Sequence, residues 1–286
     1  MTAATAQTGA PVRAKRVLPG FTLSLGVTLL YLTFIVLIPV LALILKGAEI
    51  GPARFWQIVS SPRAVAAFQI TLTAAVIATI FNAIYGLLMA WVLVRYEFRG
   101  KRILDALMDV PFALPTAVAG LSLTALFSAN GWFGSVLEAA GLQVVYTIWG
   151  IALAMAFTSV PFVVRTVQPV LEDMDPALEQ AAVTLGARPW AIFTRVVFPA
   201  ILPAWLAGCT TAFARSLGEF GAIVFIAGNL PFRTEIAALL AFIRLEEFDY
   251  NGAAAIALVL LGFALVLLVV SNLLQVWASR HREATR

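Results

Sequence analysis

EQAAVTLGARPWAIFTRVVFP, Glu179–Pro199, carries polar residues between two long apolar runs and still reads as ordered helix. Just upstream, Asp175 is a capping side chain and Pro176 suits a first helical position. Leu178, Ala181, Ala182 and Leu185 recur at i, i+3, i+4 and i+7 and predict one apolar face. Gly186 stands where a left-handed residue closes a helix. A second short helix is expected from Pro189, with Trp190, Phe193 and Val197 on one face; Pro199 and Pro203 are expected to end it. A helix lying on lipid would want a strongly basic polar face. This one offers Glu179, Gln180 and Thr184 with small alanines opposite, which suits docking against another protein.

The rest of the chain says where that helix pair sits. Of 286 residues, 62% are hydrophobic and only 12% charged, with mean hydropathy +0.95. Soluble domains carry about a quarter charged residues, so lipid is the solvent for much of this chain. Six stretches are long and apolar enough to span a bilayer, near 21–45, 68–94, 106–128, 146–170, 201–227 and 254–277. The first follows Arg13, Lys15 and Arg16, but its apolar run exceeds a signal-peptide core and no small-residue cleavage site closes it, so a retained helix is expected.

Basic residues orient the spans. Arg13, Lys15, Arg16, Arg95, Arg99, Lys101, Arg102, Arg165, Arg188, Arg195, Arg280, Arg282 and Arg286 fall on one side; Lys46, Arg54, Arg63, Arg233 and Arg244 fall on the other. The richer side is cytoplasmic, which puts both termini and the opening stretch inside the cell. The same argument assigns the sequence pI near 9.6 to membrane borders instead of nucleic acid. The expected organisation is a cytoplasmic segment 1–20, one transmembrane domain over 21–277 with a cytoplasmic loop 172–200, and a cytoplasmic tail 278–286.

One cysteine, Cys209, and one histidine, His281, leave no basis for a disulfide framework, a His/Cys metal cluster or a hydrolytic triad. No G-x4-G-K-[ST] loop occurs around Lys15, Lys46 or Lys101, so no nucleotide or other cofactor is expected on this chain.

Gln180-Ala181-Ala182, three residues, Gly186, nine residues, then Val196-Val197-Phe198-Pro199 resembles the E-A-A-x3-G-x9-I-x-L-P loop of ABC-importer permeases. It departs from that pattern at Gln180 (usually Glu), Val196 and Phe198, while Glu179 stands one place early. RSLGEFGA (215–222) is similar to the sulfate and molybdate permease group. VLPGFTLSLG (17–26), LDALMDVPFALPTAVAGL (104–121), AMAFTSVPFVVRTVQPVLE (154–172) and RLEEFDY (244–250) resemble the T-type permeases of bacterial sulfate/thiosulfate importers.

The resemblance implies an all-α, six-span type I importer permease in the inner membrane. It also implies a W-type permease partner, two ATPase subunits that use the ATP, and a periplasmic binding protein. Glu179, Gln180, Ala181, Ala182, Gly186 and Pro199 would then couple to the ATPase. A molybdate or tungstate permease remains an alternative, as does a stand-alone anion carrier, which should show internal repeats and no docking helix.

Charges inside spans call for a reason. Arg215 and Glu219, four apart, are expected to share a face of span five, either as a mutual pair or on the anion path. A lone carboxylate would repel sulfate, so Glu219 is expected to be paired or at a gate. Ser216, Gly218 and Gly221 are expected to permit close backbone approach. Asp105 and Asp109 read as acidic residues favouring a helix N-terminus, with Pro111 and Pro115 loosening the span. Asn82 and Arg165 read as packing and border residues. The segment GNLPFRTEIAALLAFIRLEEFDY (228–250) is either a contact for the binding protein or a surface or re-entrant helix.

Overall fold

The computed structural model describes residues 20–283; Arg13, Lys15, Arg16 and Arg286 lie outside them, as does nearly all of the expected segment 1–20. The described chain separates into two compact units that divide after Glu49. The first is one long helix, α1 (Phe21–Glu49), none of whose apolar window is buried.

The second unit begins with the short α2 (Pro52–Val59) and the 34-residue α3 (Pro62–Arg95). Ser61 caps α3, its hydroxyl accepting from Ala64 N–H at 3.4 Å, and Pro62 takes the first helical position. The inward residues of α3 are small: Ala67, Thr71, Ala74, Ala78 and Gly86 are among those buried. That stripe lets α7 (Ile148–Glu172) pack close, and α7 is the central helix, with 67% of its apolar window buried. A Cβ on Gly86 would come 2.7 Å from Val163 Cβ, and one on Gly208 would come 3.0 Å from Val163 Cα. Val163 is therefore clasped between α3 and α9 (Pro189–Leu217).

The third expected span is broken. α4 (Lys101–Ala113) and α5 (Thr116–Phe127) meet at 114°, and the short α6 (Gly134–Ala139) follows them. Pro115 is the cause: the residue before a proline is driven out of the helical region, and Leu114 is extended with ψ 133°. Pro111 stays inside α4.

The fifth expected span, 201–227, also differs. Its helix starts at Pro189, runs through Pro199 and Pro203, and ends at Leu217. The two prolines therefore do not terminate a short helix. A wider turn over Phe193–Val197, in which Phe198 N–H reaches back to Phe193 O, absorbs the irregularity ahead of Pro199. After Leu217 the backbone breaks at Gly218–Phe220 and resumes as the six-residue α10 (Gly221–Ile226). α10 lies against α5 so tightly that a Cβ on Gly120 would fall 2.2 Å from Ala222 O.

The segment 228–250 holds α11 (Ala237–Glu246), which buries Ala237, Leu239 and Leu240 and packs on α12 (Tyr250–Glu283) and α3. Arg63 fixes it to the start of α3, donating Nε to Glu235 Oε2 (2.9 Å) and Nη2 to Oε1 (2.7 Å). Among the described residues, five helices are long and apolar enough to cross a membrane, and six if α4–α5 counts as one span.

Candidate functional site: the docking helix and the break after α9

The segment expected to dock is α8 (Pro176–Thr184). Asp175 Oδ1 accepts from Ala177 N–H at 2.9 Å, as the expected cap should. At the other end Gly186 has φ +78°; its N–H bonds Val183 O (2.8 Å) and Ala187 N–H bonds Ala182 O (3.0 Å), so the last carbonyls are satisfied by a left-handed glycine turn. The expected apolar face exists and is open: Leu178 is 56% exposed and Leu185 87%, with Ala181 exposed beside them. Trp190 is 74% exposed on the following turn. Gln180 and Pro199 are also exposed. Glu179 is different. It turns inward and accepts a hydrogen bond from Arg95 Nη2 at the end of α3.

The break after α9 brings the second expected group together. Glu219 is 1% exposed and lies 2.8 Å from Arg215 Nη1 through Oε2, while Oε1 accepts from Ala222 N–H at 3.0 Å. The residue therefore holds two things at once: the guanidinium at the end of α9 and the first turn of α10. It does so from the break, since the helix that carries Arg215 has already ended at Leu217.

Ser216 is fully buried, and its Oγ is 3.1 Å from Ser159 Oγ on α7. Asn82 Nδ2 on α3 donates to that same Ser159 Oγ (2.8 Å) and to Ala156 O (3.1 Å). Three helices thus meet at one buried polar knot. Gly221 does mark close approach, since a Cβ there would sit 2.1 Å from Thr116 Oγ1. Gly218 does not: it is exposed, with its closest neighbour 3.9 Å from an added Cβ and an ordinary negative φ.

Asp105 and Asp109 do not serve the helix N-terminus, because α4 begins at Lys101 and its first turn holds no acid. They serve Arg165, late in α7. Its Nε and Nη2 fork onto the two oxygens of Asp109 (2.8 and 2.7 Å), while Nη1 reaches Asp105 Oδ1 (2.6 Å) and Gln168 Oε1 (2.7 Å). Nη2 also reaches the Asp105 carbonyl at 2.8 Å. A planar five-donor head is what such a convergent set of acceptors requires. The i, i+4 spacing of the aspartates puts both on one face, which hinted at a shared cation, but 56 residues separate Asp109 from Arg165. The polar knot had a weaker signal, namely Asn82 and Ser159 standing inside apolar windows.

Among the described residues no three His, Cys, Asp or Glu side chains gather as a metal site. The arrangement is that of a helical scaffold with several spans long and apolar enough to cross a membrane, and with an exposed apolar face on α8. A bacterial alginate ABC transporter of known structure has the same fold, with TM-score 0.72 over 88% of this chain and 92% of that one, at 19% identity. The chain is 55% identical over 264 residues to the sulfate transport system permease protein CysT of Escherichia coli K12, covering 92% of this chain and 95% of that one. It is 49% identical to the protein of that name in Synechococcus elongatus, over 89% and 91%. Residues 82–283, well over half the chain, match a family described as the inner membrane component of binding-protein-dependent transport systems. This chain belongs to that family of ABC-importer permeases.

Proposed function

We propose that this chain is a T-type permease subunit that carries sulfate or thiosulfate inward across the bacterial inner membrane. It would pair with a W-type permease, two ATPase subunits and a periplasmic binding protein. The open apolar face of α8, held between the spanning helices α7 and α9, is the observation that carries the reading. The identity to sulfate permeases over nearly the whole chain supports the choice of anion.

ATP is then used by the ATPase subunits, and this chain binds no cofactor. The excess of Lys and Arg on one side of the spans supports a cytoplasmic loop 172–200 and cytoplasmic termini flanking one permease domain over 21–277. Ala181, Ala182, Gln180 and Gly186 meet the ATPase; Pro199 and the π-like turn before it hand the movement on to α9. Arg215, Ser216 and Glu219, with Gly218 and Gly221 at the break, form a gate along the anion path. The Arg215–Glu219 ion pair and the Glu219–Ala222 hydrogen bond link the end of α9 to α10, so a shift of α9 is expected to carry α10 with it.

Labelled sulfate uptake tests the reading. The host lacks its own T-type permease and keeps the W-type permease, the ATPase and the binding protein. Uptake restored by this chain, dependent on ATP and competed by thiosulfate but not by low molybdate, is the expected result. Molybdate competing as well as thiosulfate overturns the sulfate assignment. Uptake that survives deletion of 176–186 overturns the coupling role.

A further inference from the structure

The acidic residue of the docking helix does not present its charge to a partner. Glu179 and Arg95 pair across 84 positions of sequence, with their side chains only 25% and 23% exposed. Arg95 is held on other sides too. Its Cζ stands 5.3 Å from the Trp91 ring centroid and its Nη2 is 3.9 Å from Met174 Sδ. Trp91 in turn meets Phe193 edge-on, with centroids 5.3 Å apart. The last turn of α3 is thus gripped by a residue two positions ahead of α8 (Met174), one within it (Glu179) and one after it (Phe193).

Chain connectivity ties α8 only to α7 and α9. The Arg95 contacts add α3. A guanidinium seated on an aromatic face and paired in a largely desolvated pocket has little freedom to slacken. What it grips is rigid: Asn82, in the knot with Ser159 and Ser216, lies thirteen residues back along the unbroken α3, about 20 Å at 1.5 Å per residue.

We infer that Arg95 is a positioning residue, and that its bond to Glu179 transmits movement of the docking helix to α3 and through it to the polar knot. This rests on the coupling role proposed for α8. Gln180, exposed and neutral, is then one of the polar side chains that α8 offers outward, beside Thr184, while the neighbouring carboxylate works inside the subunit.

The test uses the complete importer, reconstituted with its partner permease, ATPase and binding protein. Arg95→Gln, Glu179→Gln and the exchange Arg95→Glu/Glu179→Arg are compared for ATPase retained on purification and for ATP hydrolysed per sulfate moved. Both single variants break one bond, so both should keep the ATPase and raise the ATP cost of transport by about tenfold, within the usual range of a coupling energy. The exchange should recover much of the loss.

Loss of ATPase binding in Glu179→Gln alone would make Glu179 a docking contact and overturn the inference. An unchanged ATP cost in both single variants would overturn it as well. If Arg95→Gln does not accumulate, Glu179→Gln and the exchange still decide between these outcomes. Failure of the unsubstituted chain to move sulfate would instead overturn the functional reading.

Discussion

Glu219 faces two helices with its two oxygens: Oε2 lies 2.8 Å from Arg215 Nη1 at the end of α9, and Oε1 accepts from Ala222 N–H at the start of α10. The asymmetry of the pair sets what each substitution does. Glu219 is 1% exposed and Arg215 is 35% exposed, so the carboxylate depends on its partner more than the guanidinium does. Arg215→Ala should therefore destabilise strongly, by about 3–5 kcal/mol, because it strands a buried charge. Arg215→Ala/Glu219→Ala should be milder than Arg215→Ala alone. Thermal unfolding of the purified subunit complex checks the order; a double variant that is the worse of the two would sink this account of the pair.

Arg165 should not tolerate lysine. Five bonds from one guanidinium hold Asp105, Asp109 and Gln168, and an ammonium has three donors and no fork. The site is part-exposed, so the expected loss is modest, about 1–2 kcal/mol after solvent screening. Arg165→Lys should lower the thermal midpoint and loosen α4. Faster proteolysis between Arg95 and Lys101 would report that loosening.

Two glycines should separate side-chain crowding from backbone crowding. Gly86→Ala meets Val163 side-chain atoms at 2.7 and 2.8 Å, and Gly120→Ala meets Ala222 backbone at 2.2 Å. Each should cost about 1–3 kcal/mol or more. Val163→Ala should rescue the first in membrane abundance and thermal midpoint. No truncation at Ala222 can rescue the second, since the obstacle is a carbonyl. Gly218→Ala should be close to neutral in the same assays.

The face of α8 should separate docking from folding. Leu185 is 87% exposed and touches little, so Leu185→Glu should leave subunit abundance unchanged while co-purified ATPase falls by at least about tenfold, as for a buried apolar anchor. Gly186→Ala should act differently. Its φ of +78° strains any side chain by about 1 kcal/mol, so it should shift the loop's stability before it shifts binding.

Much of this was legible one residue type at a time. Apolar length marked out the spanning helices, because lipid demands it regardless of what packs where. Asp175, Pro176 and Gly186 located α8 to the residue, because caps and left-handed glycines act within a few positions. The face Leu178–Leu185 followed from helical period alone.

Proline was read less well. Pro115 breaks its span by 114°, whereas Pro111, Pro161, Pro169 and Pro203 sit inside helices. Whether a lost N–H bond ends a helix depends on the neighbours that hold the backbone on either side. The charges depended on tertiary structure most of all. Asp105 and Asp109 looked local and are Arg165's partners, Glu179 looked outward and belongs to Arg95, and Arg63 grips Glu235 from 172 positions away. Period and capping are fixed by bonds between near neighbours in the chain. Which carboxylate a guanidinium meets is decided by helix packing, and here that packing turns on where glycine lets two backbones close.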